Sequence, residues 1–200
     1  MRFPYLYPRL SWRRLLQGLL QRPGFTMQMI VEERPWRRAL VALAASGAGF
    51  WLGIGVSLFA GGRPWQAASL VTLVGMASWP VVLAALAGAY RFSARVLDSH
   101  GDWRSLYVGM SFGALPMALF IAPALLLTPL GGFGAALVPL IGAGLILWTL
   151  VLWAFAVRES QGMITEFAFI VLAMPLTFLF LAILATALSV GIGALIVGSF

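Results

Sequence analysis

The chain has 200 residues, 62% of them hydrophobic and 10% charged, with a formal net charge of +7. That length holds one compact helical unit and leaves no room for a second, soluble domain of ordinary size. The absence of cysteine excludes thiol catalysis, thiolate metal sites and disulfides. The positive charge comes entirely from arginine, and the positive-inside bias of membrane proteins accounts for it better than nucleic-acid binding does.

Residues 1 to 38 read as an amphipathic cytosolic or interfacial segment. Phe3 to Tyr7 is too short for the apolar core of a secretory signal and is broken by Pro4 and Pro8. Leu10, Trp12, Leu15, Leu16, Leu19 and Leu20 recur at helical spacing, with Arg13, Arg14, Gln17, Gln21 and Arg22 between them. This pattern predicts a helix in the headgroup plane, its Trp and Leu side chains in the acyl boundary and its arginines on anionic headgroups. Pro23 and Gly24 end it, and a second short amphipathic stretch follows from Phe25 to Val31. Glu32, Glu33 and Arg34 make a charged hinge, and Pro35 suits the first turn of the next helix.

Residues 39 to 200 form the membrane part. No charge occurs in Ala39–Gly62, Pro64–Tyr90, Ser105–Val157 or Phe167–Phe200. A hydrocarbon core about 30 Å thick is crossed by about 20 apolar helical residues, so each run spans and the third spans twice. The expected spans are Ala39–Ala60, Gln66–Tyr90, Leu106–Thr128, Ala135–Val157 and Phe167–Phe200. The chain is thus expected to be an all-α, five-span membrane protein with an interfacial N-terminal helix. Pro80, Pro116, Pro123, Pro139 and Pro175 are expected to kink the spans. Twelve arginines flank one side of this topology and only Arg63 the other, which places the N-terminus in the cytoplasm and the C-terminus outside.

Small residues four apart put flat strips on helix faces: Gly49 with Gly53, Ala84 with Gly88, Gly109 with Gly113, and Ala187 with Gly191. Such strips admit a neighbouring backbone, either within the bundle or across to a partner or second copy. The spans carry no ionisable side chain, which argues against a pump or an ion-coupled transporter. His100 is the only histidine, in the loop Asp98–Ser99–His100–Gly101–Asp102, with no nucleophile or second ligand beside it in sequence. Loop residues pairing with nearby arginines explain it better than catalysis or a metal does. Trp12, Trp36, Trp65, Trp103 and Tyr107 fall near span boundaries, as an aromatic belt requires.

Three segments in order carry a family resemblance: "GFTMQMIVEERPWRRAL", "GDWRSLYVGMSFGALPMALFIAPALLL" and "ILWTLVLWAFAVRESQGMITEFAFIVLAMPL". The chain resembles the Yip domain (Ypt-interacting protein) family, in particular its small bacterial members. The resemblance implies a five-helix bundle with a cytosolic N-terminus. Eukaryotic members are linked to Rab-type GTPases and vesicle traffic. This chain lacks their acidic, Pro-rich tail and their Asp-Leu-Tyr-Gly-Pro signature, so GTPase binding does not carry over.

The expected function is that of a non-enzymatic membrane adaptor or accessory subunit in a bacterial inner membrane, needing no cofactor or metal. Its partners would be the bilayer and its anionic headgroups, together with a protein partner or a second copy. The residues expected to matter are Trp12, Arg13, Arg14, Leu16, Leu20 and Arg22 at the membrane surface, and Gly49, Gly53, Gly109, Gly113 and Pro116 in helix packing. The alternative is a permease component for an apolar or lipid-like substrate, passing along the Pro-kinked helices.

Overall fold

The computed structural model describes residues 11–175 and 177. Among them the chain is helical with no strand. Helix α1 runs Trp12–Gln21, and the Ser11 hydroxyl caps it by accepting from the Arg14 N–H at 3.4 Å. Helix α2, Pro23–Glu33, starts with its proline in the first turn, where a missing N–H costs nothing. Arg34 then adopts a left-handed conformation (φ 48°) and turns the chain into α3, Trp36–Ala60.

Helix α4, Trp65–Val96, is longer than the uncharged run that marks it. The sequence suggested an end at Tyr90, yet the helix continues through Arg91 and Arg95. Loss of hydrocarbon does not end a helix whose next turn still packs, and Tyr90 and Ala94 are both buried. Pro80 lies inside α4 without ending it. Helix α7, Gly132–Gln161, likewise runs past Val157 through Arg158.

The third span is broken. Helix α5, Trp103–Gly113, gives way to a 3-10 segment, Leu115–Phe120, then to α6, Ile121–Leu127, and a last 3-10 turn, Thr128–Leu130. Pro116 sits in the first turn of the 3-10 segment. It has no N–H to donate, and its ring crowds the carbonyl one α-turn back, which favours the change to 3-10 geometry here, although Pro80 and Pro139 are accommodated inside α4 and α7. A final short helix, α8, covers Thr165–Pro175. The fifth predicted span lies largely outside the described residues.

Among the described residues four helical stretches are long and apolar enough to cross a membrane: Trp36–Ala60, Trp65–Val96, Trp103–Leu130 and Gly132–Gln161. Helix α5 is the core element, with every residue from Ser105 to Gly113 buried. It packs against α2, α3, α4 and α7. Two buried indoles find partners: Trp153 Nε1 donates to the Met110 carbonyl at 3.0 Å and Trp79 Nε1 to Ser46 Oγ at 3.1 Å. The outer face of α4 is apolar instead of polar, with Leu70, Leu73, Val74 and Val81 all more than half exposed. Water would not tolerate that surface, whereas lipid tails are its natural solvent.

Candidate functional site

The α1–α2 hairpin is seated on the bundle. Leu15 and Leu19 are buried against it, and the Trp12 ring stands 6.0 Å from that of Phe112. Leu16 and Leu20 are 47% and 69% exposed, so they form the outward edge of the same stripe. Arg13 and Arg14 point to the exposed side. Arg22 lies just beyond the helix, where its N–H caps α1 by donating to the Gly18 carbonyl at 2.8 Å. Gly18 lets the two helices cross closely, since a Cβ there would overlap the Thr26 hydroxyl.

Leu16, Leu20, Leu115, Pro116, Leu119 and Trp148 line an apolar groove of about 470 Å³ beside α1. Pro116 therefore both breaks the third span and forms part of this groove.

Helix α2 is the wedge between α1 and the spans, a role that periodicity did not reveal. Its buried face, Met27, Ile30 and Val31, follows helical spacing and was the available signal. Gly24 lies against Phe155 and Arg158, whose guanidinium sits 4.9 Å over the Phe155 ring, bonds Thr165 Oγ1 and pairs with Glu159.

Each glycine strip faces a different neighbour. A Cβ on Gly109 would stand 3.0 Å from Ala156 Cβ and 3.4 Å from Val31 Cγ2, so α7 and α2 meet α5 there. One on Gly113 would stand 2.7 Å from Trp153 Cδ1. A Cβ on Gly53 would stand 2.6 Å from Phe120 Cδ1, and Gly49 faces the Ala118 backbone. At Gly88, paired in sequence with Ala84, an added Cβ meets nothing within 4 Å among the described residues, so no helix of the bundle approaches there. Ala187 and Gly191 lie outside the described residues.

The hairpin is tied to the α4–α5 loop. Arg34 Nη1 lies 2.9 Å from Asp102 Oδ2, and Asp102 also caps α5 through the Arg104 N–H. Burial raises the Asp102 pKa, but the Arg104 N–H, Arg34 and Ser105 together outweigh it and hold the carboxyl below its ordinary value. With Asp102 so engaged, nothing orients His100, which is exposed in the loop. No group of three or more potential metal ligands occurs among the described residues.

A depressed folded pKa adds stability that is present above the unfolded value and lost as pH falls through the folded one. Asp102→Asn is thus expected to melt slightly below the wild type at neutral pH. The deficit should be under about 1 kcal/mol for so exposed a pair, and should close as the pH drops below the ordinary carboxylate range. A deficit constant with pH would mean that the charge does not matter.

These helices, with their apolar exterior, define a polytopic integral membrane protein. The family model of the Yip1 domain matches residues 18–187, and the chain belongs to that family. The match starts inside α1, so it takes in the hairpin as well as the spans. No curated protein and no solved structure matches the chain.

Proposed function

We propose that this Yip1-domain protein is a non-enzymatic membrane adaptor or accessory subunit of a bacterial inner membrane. In this reading it presents the α1–α2 hairpin at the cytosolic surface. The observation that carries it is the depth of α1. The groove beside it is lined by α7 residues from Leu145 to Leu152. Those residues lie about 20 to 30 Å along α7 from its start at Gly132, at 1.5 Å per residue. A hydrocarbon core about 30 Å thick ends at that level.

Helices α4 and α7 carry on past it, so their last turns and α2 belong to the headgroups and the cytosol. Trp36, Tyr107 and Trp103 cluster at that end of the bundle, with ring centroids 5.6 and 5.3 Å apart, as aromatic anchors at an interface do. Arg13 and Arg14 then meet lipid phosphates, and the exposed surface of the hairpin is offered to a protein partner or a second copy.

The burial of α5 from Ser105 to Gly113 supports an adaptor over a permease, since the middle of the described bundle is filled with side chains. Reporters fused after Arg38 or within residues 98–102 are expected to read cytoplasmic, and one after Phe200 to read outside. A cytoplasmic C-terminus would overturn the five-span topology. Purification in mild detergent separates the functional readings. A stoichiometric complex or a defined oligomer supports the adaptor, and flux through proteoliposomes of the pure protein supports the permease.

A further inference from the structure

At the same end of the bundle, but on the far side of the α4–α5 loop, lies a second constellation. Arg91 and Arg95 are one turn apart on α4, and the loop brings His100 up beside them. With Asp98, Ser99 and Gly101 they line a cavity of about 310 Å³. The loop wall is pinned to the end of α7 by Ser99 Oγ, which donates to the Gln161 carbonyl at 2.8 Å. It is held close because Gly101 has no Cβ, which would overlap the Ser160 carbonyl.

The positive charge in this cavity exceeds the negative, with Arg91 and Arg95 against Asp98. Arg91 Nε is buried and has no hydrogen-bond partner, and among the described residues neither Arg91 nor Arg95 is paired with a carboxylate. A buried donor left unmade is costly, and like charges one turn apart repel. An anion in the cavity relieves the repulsion between the two guanidinium groups that line it. The exposed Asp98 carboxylate offsets one of the two guanidinium charges and leaves the cavity positive. Phe92 and Val96, 70% and 62% exposed on the same turns of α4, put apolar surface beside it.

We propose that this cavity binds a phosphate group, with Arg91 and Arg95 as its donors and His100 at its rim. The same chemistry could come from a lipid headgroup or from free phosphate, and the two are separated by experiment. Detergent-purified full-length protein is titrated with short-chain phosphatidic acid, with inorganic phosphate as competitor, and bound species are counted by native mass spectrometry.

Saturable binding is expected, weakened about fivefold for each arginine replaced in Arg91→Gln and Arg95→Gln. Arg63→Gln, which removes an exposed charge in the turn between α3 and α4, should leave it unchanged. Phosphatidic acid that inorganic phosphate cannot displace assigns the site to lipid. Saturable binding of inorganic phosphate itself assigns it to a soluble ligand. If the double variant fails to fold, the exposed Arg95→Gln alone carries the same expected fivefold loss. A wild type that binds neither probe, or folded variants that bind like the wild type, overturns the proposal.

Discussion

Adding a single methyl at Gly49 is expected to destabilise the protein more than a far larger change on the lipid face. In Gly49→Ala the new Cβ would stand 2.6 Å from Ala118 Cα and 2.7 Å from its carbonyl carbon, and would overlap the carbonyl oxygen. These are backbone atoms of the 3-10 segment, so no rotamer change relieves them. Helix α3 and the broken third span would have to part. Overpacking of this kind costs about 1–3 kcal/mol for small insertions, and Gly49→Leu should leave little folded protein.

Gly113→Leu should fall in between. It meets the Trp153 ring, which could turn aside only by giving up its bond to the Met110 carbonyl. Gly144→Ala is the control, being exposed with nothing within 4 Å. It should melt at or above the wild type, because alanine suits a helix better than glycine. The measurement is the melting temperature in detergent. A Gly49→Leu variant that melts like the wild type would mean that α3 does not contact the Pro116 segment.

Gly49, Gly53 and Pro116 were legible in the sequence as separate signals. The strip at Gly49 and Gly53 announced a close approach, and Pro116 announced a kink, where the structure has a change to 3-10 geometry. What spacing could not show is that one receives the other: the 3-10 segment, with its displaced backbone, lies in the glycine strip of α3. Gly88 shows the opposite case, since a small residue also occurs where nothing among the described residues comes near. Among the described residues the absence of charge located four spans but ended α4 and α7 too early. Charge reports where hydrocarbon stops, whereas α4 ends where packing of Tyr90 and Ala94 no longer supports it.

Asp98 and Asp102 were expected to pair with nearby arginines. Asp102 instead pairs with the distant Arg34, which leaves Arg91 and Arg95 free of carboxylates among the described residues. Helical periodicity placed Trp12, Leu16, Leu19 and Leu20 on one apolar face but could not say which edge meets protein. Lipid tails are as apolar as leucine, so composition does not distinguish the two surroundings.

That division of α1 gives the other large effect. Leu15 is fully buried, and Leu15→Ala is expected to cost about 2–5 kcal/mol of stability in detergent, as truncation in a packed core does. Leu16→Ala and Leu20→Ala should cost much less, because those side chains leave the bundle for the groove and its surroundings. Equal losses at Leu15 and Leu16 would mean that α1 is rotated from the position described.

Away from the bundle the whole stripe is available to lipid. Each arginine near an anionic surface contributes about 1 kcal/mol and each buried leucine roughly 1.5–3 kcal/mol. A peptide of residues 10–22 should therefore become helical with anionic vesicles and less so with neutral ones. Leu16→Glu with Leu20→Glu should abolish this in the peptide. In the full-length chain the same pair should largely spare the fold, since Leu15 and Leu19 remain to hold the helix. A peptide that stays disordered on anionic vesicles would show that these two residues, with Trp12 on Phe112, are what form α1. The hairpin would then be a docking element of the bundle, and its position at the membrane surface would follow from the spans beneath it.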